Sequence, residues 1–160
     1  MKALLQGLLM AVLIGGTGSG GASEQSPDPS PSEIVRGTTN KSFAEVIQEL
    51  DFSITDHNFR ITGRNTIGKS LRERGYQDFP DVEVIHFCNL ENAREVLLLD
   101  PGYVAMMPCR VSVHEAGNQR VVSMILLPEQ HPNPQVVAFA KRMNQSLREI
   151  LEFVLEKDPQ

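Results

Sequence analysis

Two strand-like runs, Met107 to Glu115 and Arg120 to Leu127, are joined through Ala116-Gly117-Asn118. Glycine and asparagine tolerate the positive φ that a tight reversal needs, so the two runs should pair as an antiparallel hairpin. After the hairpin the chain has room for one more element, a helix opened by Pro132-Asn133-Pro134. A parallel sheet requires repeated strand-helix units, and none fits after Pro101. The expected class is therefore α+β: a single compact domain with a largely antiparallel sheet, helices packed on one face and a C-terminal amphipathic helix.

The elements before the hairpin follow from local signals. Ser42-Phe43-Ala44-Glu45 has the form of a capping box, and Phe43, Val46, Ile47, Leu50 and Ile54 recur at helical spacing, which predicts a helix from Phe43 to His57. Phe59 to Thr62 reads as a short strand. Thr66 to Arg74 reads as a helix released by a left-handed Gly75. Val82 to Cys88 has apolar residues on both faces, as an inner strand would, and Asn89 to Leu99 is a helix stopped at Asp100-Pro101. In the last helix Val136, Ala140, Met143, Leu147, Ile150 and Val154 form an apolar stripe that should cover the core.

The N-terminal residues carry a different kind of signal. Lys2 precedes an apolar run from Leu4 to Ile14, and Gly20-Gly21-Ala22 places small residues where a signal peptidase reads. An apolar run this long is about half of the roughly 20 residues that a spanning helix needs. Residues 1–22 are expected to be a cleavable signal peptide, residues 23–39 a Pro- and Ser-rich disordered linker, and residues 40–157 the folded domain. The product would be periplasmic or secreted and free of the membrane. Losing Lys2 takes the net charge from −5 to −6, which does not suit a nucleic-acid partner.

Gly63 to Ser70 matches the phosphate-loop pattern GxxxxGKS, with Lys69 and Ser70 in the phosphate-binding places. The missing strand-helix units argue that the match is accidental and that nucleotide binding is the least favoured function. Arg60, Arg64, Lys69, Arg72 and Arg74 cluster in the same stretch, either as a solvated basic face or as a small-anion site using Arg64, Lys69 and Arg72.

Cys88 and Cys109 are the two cysteines. Each lies at the end of a predicted strand, so a disulfide between them is the leading reading; closing a 20-residue spacer, it would stabilise by about 3 kcal/mol. Alternatively, Cys88 sits just before a helix whose dipole would lower its pKa, making it the nucleophile of a thiol-redox enzyme with Cys109 as resolving partner. His86, His114 and Arg110 are candidate ligand-binding residues on the same strands. With the cysteines they would allow a metal or haem site, with Met106 and Met107 as soft ligands, although no CxxC, CxxCH or HxxxH spacing supports it. The sequence names no metal ligand set, no cofactor and no catalytic group. There is no GxSxG elbow and no paired-carboxylate motif.

Taken together, Ser42-Phe43-Ala44-Glu45 with Leu50, the strand ending Cys88-Asn89, Ala93, Leu97-Leu98, Asp100-Pro101 and Pro108 to Glu115 resemble domain-of-unknown-function family 302 in order and spacing. The resemblance spans about Ile34 to Leu127, with Leu90 where many members have Pro and His114 where Tyr is common. It implies a compact α+β fold that tends to homodimerise, and it implies no activity. The function it leaves is an exported, non-enzymatic or redox-linked binding module centred on Cys88 and Cys109.

Overall fold

The computed structural model describes residues 32–156. The proposed signal peptide and the first part of the linker lie outside them. Five strands form one antiparallel sheet: β1 (Ile34–Thr39), β2 (Arg60–Thr66), β3 (Val82–Cys88), β4 (Cys109–Ala116) and β5 (Gln119–Ile125), in the order β1-β5-β4-β3-β2. The helices are α1 (Phe43–Asp56), α2 (Ile67–Glu73), α3 (Leu90–Leu99) and α4 (Pro134–Leu155), with a short 3-10 segment at Pro101–Met106. This is the expected α+β architecture, with the hairpin β4-β5 at the sheet centre and Gly117 at φ 63° in its turn.

Local chemistry places the helix starts. Ser42 Oγ accepts from the Glu45 amide at 3.2 Å while the Glu45 carboxylate accepts from the Ser42 amide at 2.7 Å, closing the capping box at the start of α1. Asn89 caps α3 by accepting from the Asn92 amide, and Leu90 takes the first helical position, where it is exposed and where proline would equally fit. The core lies between one sheet face and α1 and α4. Val46, Leu50 and Ile54 meet Ile85, Phe87, Val111, Val113, Val122 and Met124, with the α4 stripe alongside. Each such aliphatic or aromatic side chain contributes about 1.5–3 kcal/mol when fully buried.

Two expectations are corrected. Ile34–Thr39, assigned to the linker, forms edge strand β1 in register with β5, with Ile34 opposite Ile125 and Thr39 opposite Arg120. Its β-branched residues gain ladder hydrogen bonds that no local signal advertises. β2 runs on to Thr66 instead of ending at Thr62, because a bulge between Ile61 and Gly63 restores its pairing with β3. The α4 stripe covers the core as expected, and one polar residue shares its buried face. Asn144 is buried within it, accepting from the Leu127 amide at 2.8 Å and donating to the Leu127 carbonyl at 2.9 Å. That clamp holds the chain leaving β5 against α4.

Candidate functional site

The sheet divides the candidate residues between its two sides. On β4, Cys109 alternates with Arg110 and shares the core face with Val111 and Val113. The register sets Phe87 of β3 opposite Cys109. Cys88 is one residue further on, where β3 leaves the sheet for α3. Strand spacing and rise then put the Cys88 and Cys109 Cα atoms about 6 Å apart, inside the roughly 7 Å that a disulfide tolerates. Both cysteines are free thiols, so no bond joins them here.

Both nevertheless border one small apolar cavity of about 30 Å³ at this end of the sheet. Met106 and Met107 reach it from the segment before β4, and Met143 from α4. Phe59, Tyr103 and Phe139 close it. Tyr103 packs edge-on to Phe139 with ring centroids 6.2 Å apart and donates its hydroxyl to the Pro128 carbonyl at 3.3 Å. Beyond residue 22 the chain has four methionines, and three of them join both cysteines around this one space. The volume excludes a haem, since clefts for ligands of that size run to about 300–1,000 Å³. It does accommodate a single atom-sized guest, because even a water needs only about 10–15 Å³.

The electrostatics of the cysteines overturn one expectation. The α3 dipole does not lower the Cys88 pKa; burial pushes the thiol up. Cys109 is raised to about 11, chiefly by burial and then by its proximity to Cys88. The amide donors that would stabilise a thiolate are partly taken at this helix start, where Asn89 caps α3 with its own side chain. At neutral pH both sulfurs keep their protons, which is the wrong state for a resting nucleophile.

His86, Arg110 and His114 lie on the opposite, uncovered sheet face, apart from the sulfur cavity. His86 is the register partner of Arg110, and His114 of Val82. His86 Nε2 is 2.7 Å from Asn65 Oδ1. Arg110 and His114 line a shallow depression of about 300 Å³ with Arg36, Ser112 and Ser123. The joint His and Cys cluster therefore does not form: alternation along β3 and β4 sends the histidines away from Cys109. Among the described residues no group of three or more His, Cys, Asp or Glu is placed to hold a metal.

The basic stretch is engaged internally as well. Arg64 bridges Asp51 of α1 and Glu83 of β3, the latter at 2.8 Å, and Arg72 pairs with Asp81 and donates to the Phe79 carbonyl at 2.7 Å. The anion site expected of Arg64, Lys69 and Arg72 is thus not assembled; all three cations already have carboxylates, Lys69 with Glu73 at 3.9 Å. Gly63 to Thr66 is paired strand, and α2 starts at Ile67 with no intervening loop to cradle a phosphate. Gly68 has a different reason to be glycine: a Cβ there would lie 2.4 Å from the Pro80 carbonyl oxygen.

The family model described as domain of unknown function DUF302 matches residues 35–154. The chain belongs to the DUF302 family. The match takes in α4, beyond the Ile34 to Leu127 span that the sequence motifs covered. Among solved structures, the chain is similar to an uncharacterized conserved DUF302 protein from Bacillus stearothermophilus, at 18% identity and TM-score 0.65, covering 76% of this chain and 97% of the other. At that identity the likeness supports the fold alone. No curated protein sequence matches the chain. Among the described residues, no helix is long and apolar enough to cross a membrane.

Proposed function

We propose that this DUF302 protein is exported and that its domain is a non-enzymatic binding module whose site is the sulfur-lined cavity between the end of β3, the start of β4 and α4. One observation carries the reading: Cys88 and Cys109 border the same apolar space with three methionines. Catalysis by a thiolate fits poorly, because burial holds both thiols protonated. The cysteines can still act as a redox-linked gate. A disulfide between them would close the cavity by joining two of its walls, and their nearness in the register supports that second state.

The export half of the proposal rests on Gly20-Gly21-Ala22 and is checked by intact mass, which should place the N-terminus at Ser23 in a periplasmic or secreted fraction. The family's tendency to pair makes a second copy of the chain the proposed partner. The exposed Phe52 and Phe153 rings, 5.6 Å apart where α1 meets α4, are apolar surface available for it. Sedimentation equilibrium reads that directly.

Xenon tests the cavity itself, because apolar cavities of atomic size take it up. In protein carrying 13C-methyl methionine, xenon pressure should shift Met106, Met107 and Met143 and leave the core residue Met124 unmoved. Uniform or absent shifts would show that the space is closed and the reading wrong.

A further inference from the structure

We propose that the guest of this cavity is a soft, monovalent d10 metal ion, with Cu(I) as its physiological form, held by the Cys88 and Cys109 sulfurs and by thioethers from among Met106, Met107 and Met143. The inference rests on the cavity being the binding site and adds what chemistry occupies it. Thiolate and thioether donors select Cu(I) over hard or borderline ions, whereas Zn(II) takes thiolate and imidazole and gains little from thioether. Neither His, Asp nor Glu lines the cavity. Both histidines of the adjacent strands are on the other sheet face. The polar residues present are Asn89, Asn92 and Tyr103, whose hydroxyl is committed to the Pro128 carbonyl. The Asn89 amide is committed, capping α3 and donating to the Asn58 carbonyl at 2.8 Å.

Charge and size agree with a small monovalent ion. A buried cation is costly unless matched, and a +1 ion is neutralised by a single thiolate, so one of the two raised thiols has to lose its proton, whereas a divalent ion needs both. About 30 Å³ holds one ion and no ligand larger than a water. Cys88, Met106 and Met107 are only half-buried, so the ion has a way in from solvent. On binding, each S–H bond broken sends its proton to solvent as a metal–sulfur bond forms; no electron moves and no further reactant is needed.

The test is anaerobic competition between the reduced protein and a chromophoric Cu(I) chelator, followed by X-ray absorption at the copper edge. One equivalent should transfer, and the bound ion should show sulfur neighbours only. Cys109→Ser and Cys88→Ser should each weaken binding by more than the roughly 10–100-fold that outer-shell changes cost at metal sites. Met143→Leu and Met106→Leu preserve volume and packing. They should weaken it by about tenfold each, on the scale of those outer-shell effects. Met124→Leu should do nothing. Should a serine variant fail to fold, the leucine variants still decide. Transfer of no copper, nitrogen or oxygen neighbours, or affinity indifferent to both Cys88→Ser and the leucine variants would overturn the proposal. Xenon uptake without copper transfer would remove the metal and leave the cavity as a site.

Discussion

Asn144→Ala perturbs the contact that seats the cavity's outer wall. Asn144 is buried and pairs with both backbone groups of Leu127 at 2.8 and 2.9 Å, and it donates to Glu129 at 2.9 Å. Leu127 and the neighbouring Met143 both line the cavity. Alanine leaves a buried amide and a buried carbonyl without partners, each costing about 1–3 kcal/mol, so the variant should lose about 2–6 kcal/mol. For a domain of this size that is a fall in melting temperature of roughly 10–20 °C. Urea unfolding followed by far-UV circular dichroism reads the free energy. Gln145→Ala is the control: Gln145 is exposed and bonded only to Glu149 one turn on, so it should stay within about 0.5 kcal/mol of the parent. If the two variants unfold at the same urea concentration, the clamp contributes nothing and the argument for how β5 is held to α4 fails.

Other outcomes follow from the same geometry. Gly68→Ala should cost about 1–3 kcal/mol in the same assay, because its Cβ meets the Pro80 carbonyl, while Lys69→Ala, at an exposed residue of the phosphate-loop match, should leave stability unchanged. Arg64→Met strands Glu83, which is almost fully buried, and should cost about 3 kcal/mol, with Glu83→Gln in the same chain restoring part of it; full stability in the single variant would show that the pair is only surface decoration. Cys109, with its pKa near 11, should react with iodoacetamide at pH 8 about 100-fold more slowly than an unperturbed thiol, with a rate still climbing past pH 10. Because that folded value is raised above the unfolded one, the native state holds the extra proton between about pH 9 and 11, and stability should fall as pH rises through that window. A rate that levels off near pH 9 would contradict the burial assigned to this sulfur.

Elements with strong local signals were legible in the sequence. The capping box at Ser42, the Gly117 turn and the α4 stripe each carry their structure in a few neighbouring residues, and all three appear where expected. β1 was not legible, because Ile34 to Thr39 gains its strand identity from hydrogen bonds to β5, about 90 residues away in the chain. The functional residues divide the same way. Cys88 and Cys109 stood out by type, and Met106 and Met107 were visible as soft donors. Met143 looked like any core position of its stripe. Its place beside the cysteines depends on how α4 crosses the sheet end, which no local pattern encodes. The sign of the Cys88 shift was misjudged for a related reason. The helix start is visible in sequence, but the desolvation that outweighs its dipole comes from residues packed around it in space.

The most direct test of the sulfur cavity as the binding site is a crystal grown with one equivalent of Ag(I), which shares the coordination preferences of Cu(I) and does not change oxidation state. The account predicts one anomalous peak inside the cavity, within bonding distance of the Cys109 sulfur and of at least one thioether among Met106, Met107 and Met143. A peak between His86 and His114 on the open sheet face, or no ordered peak at full thiol reduction, would contradict it.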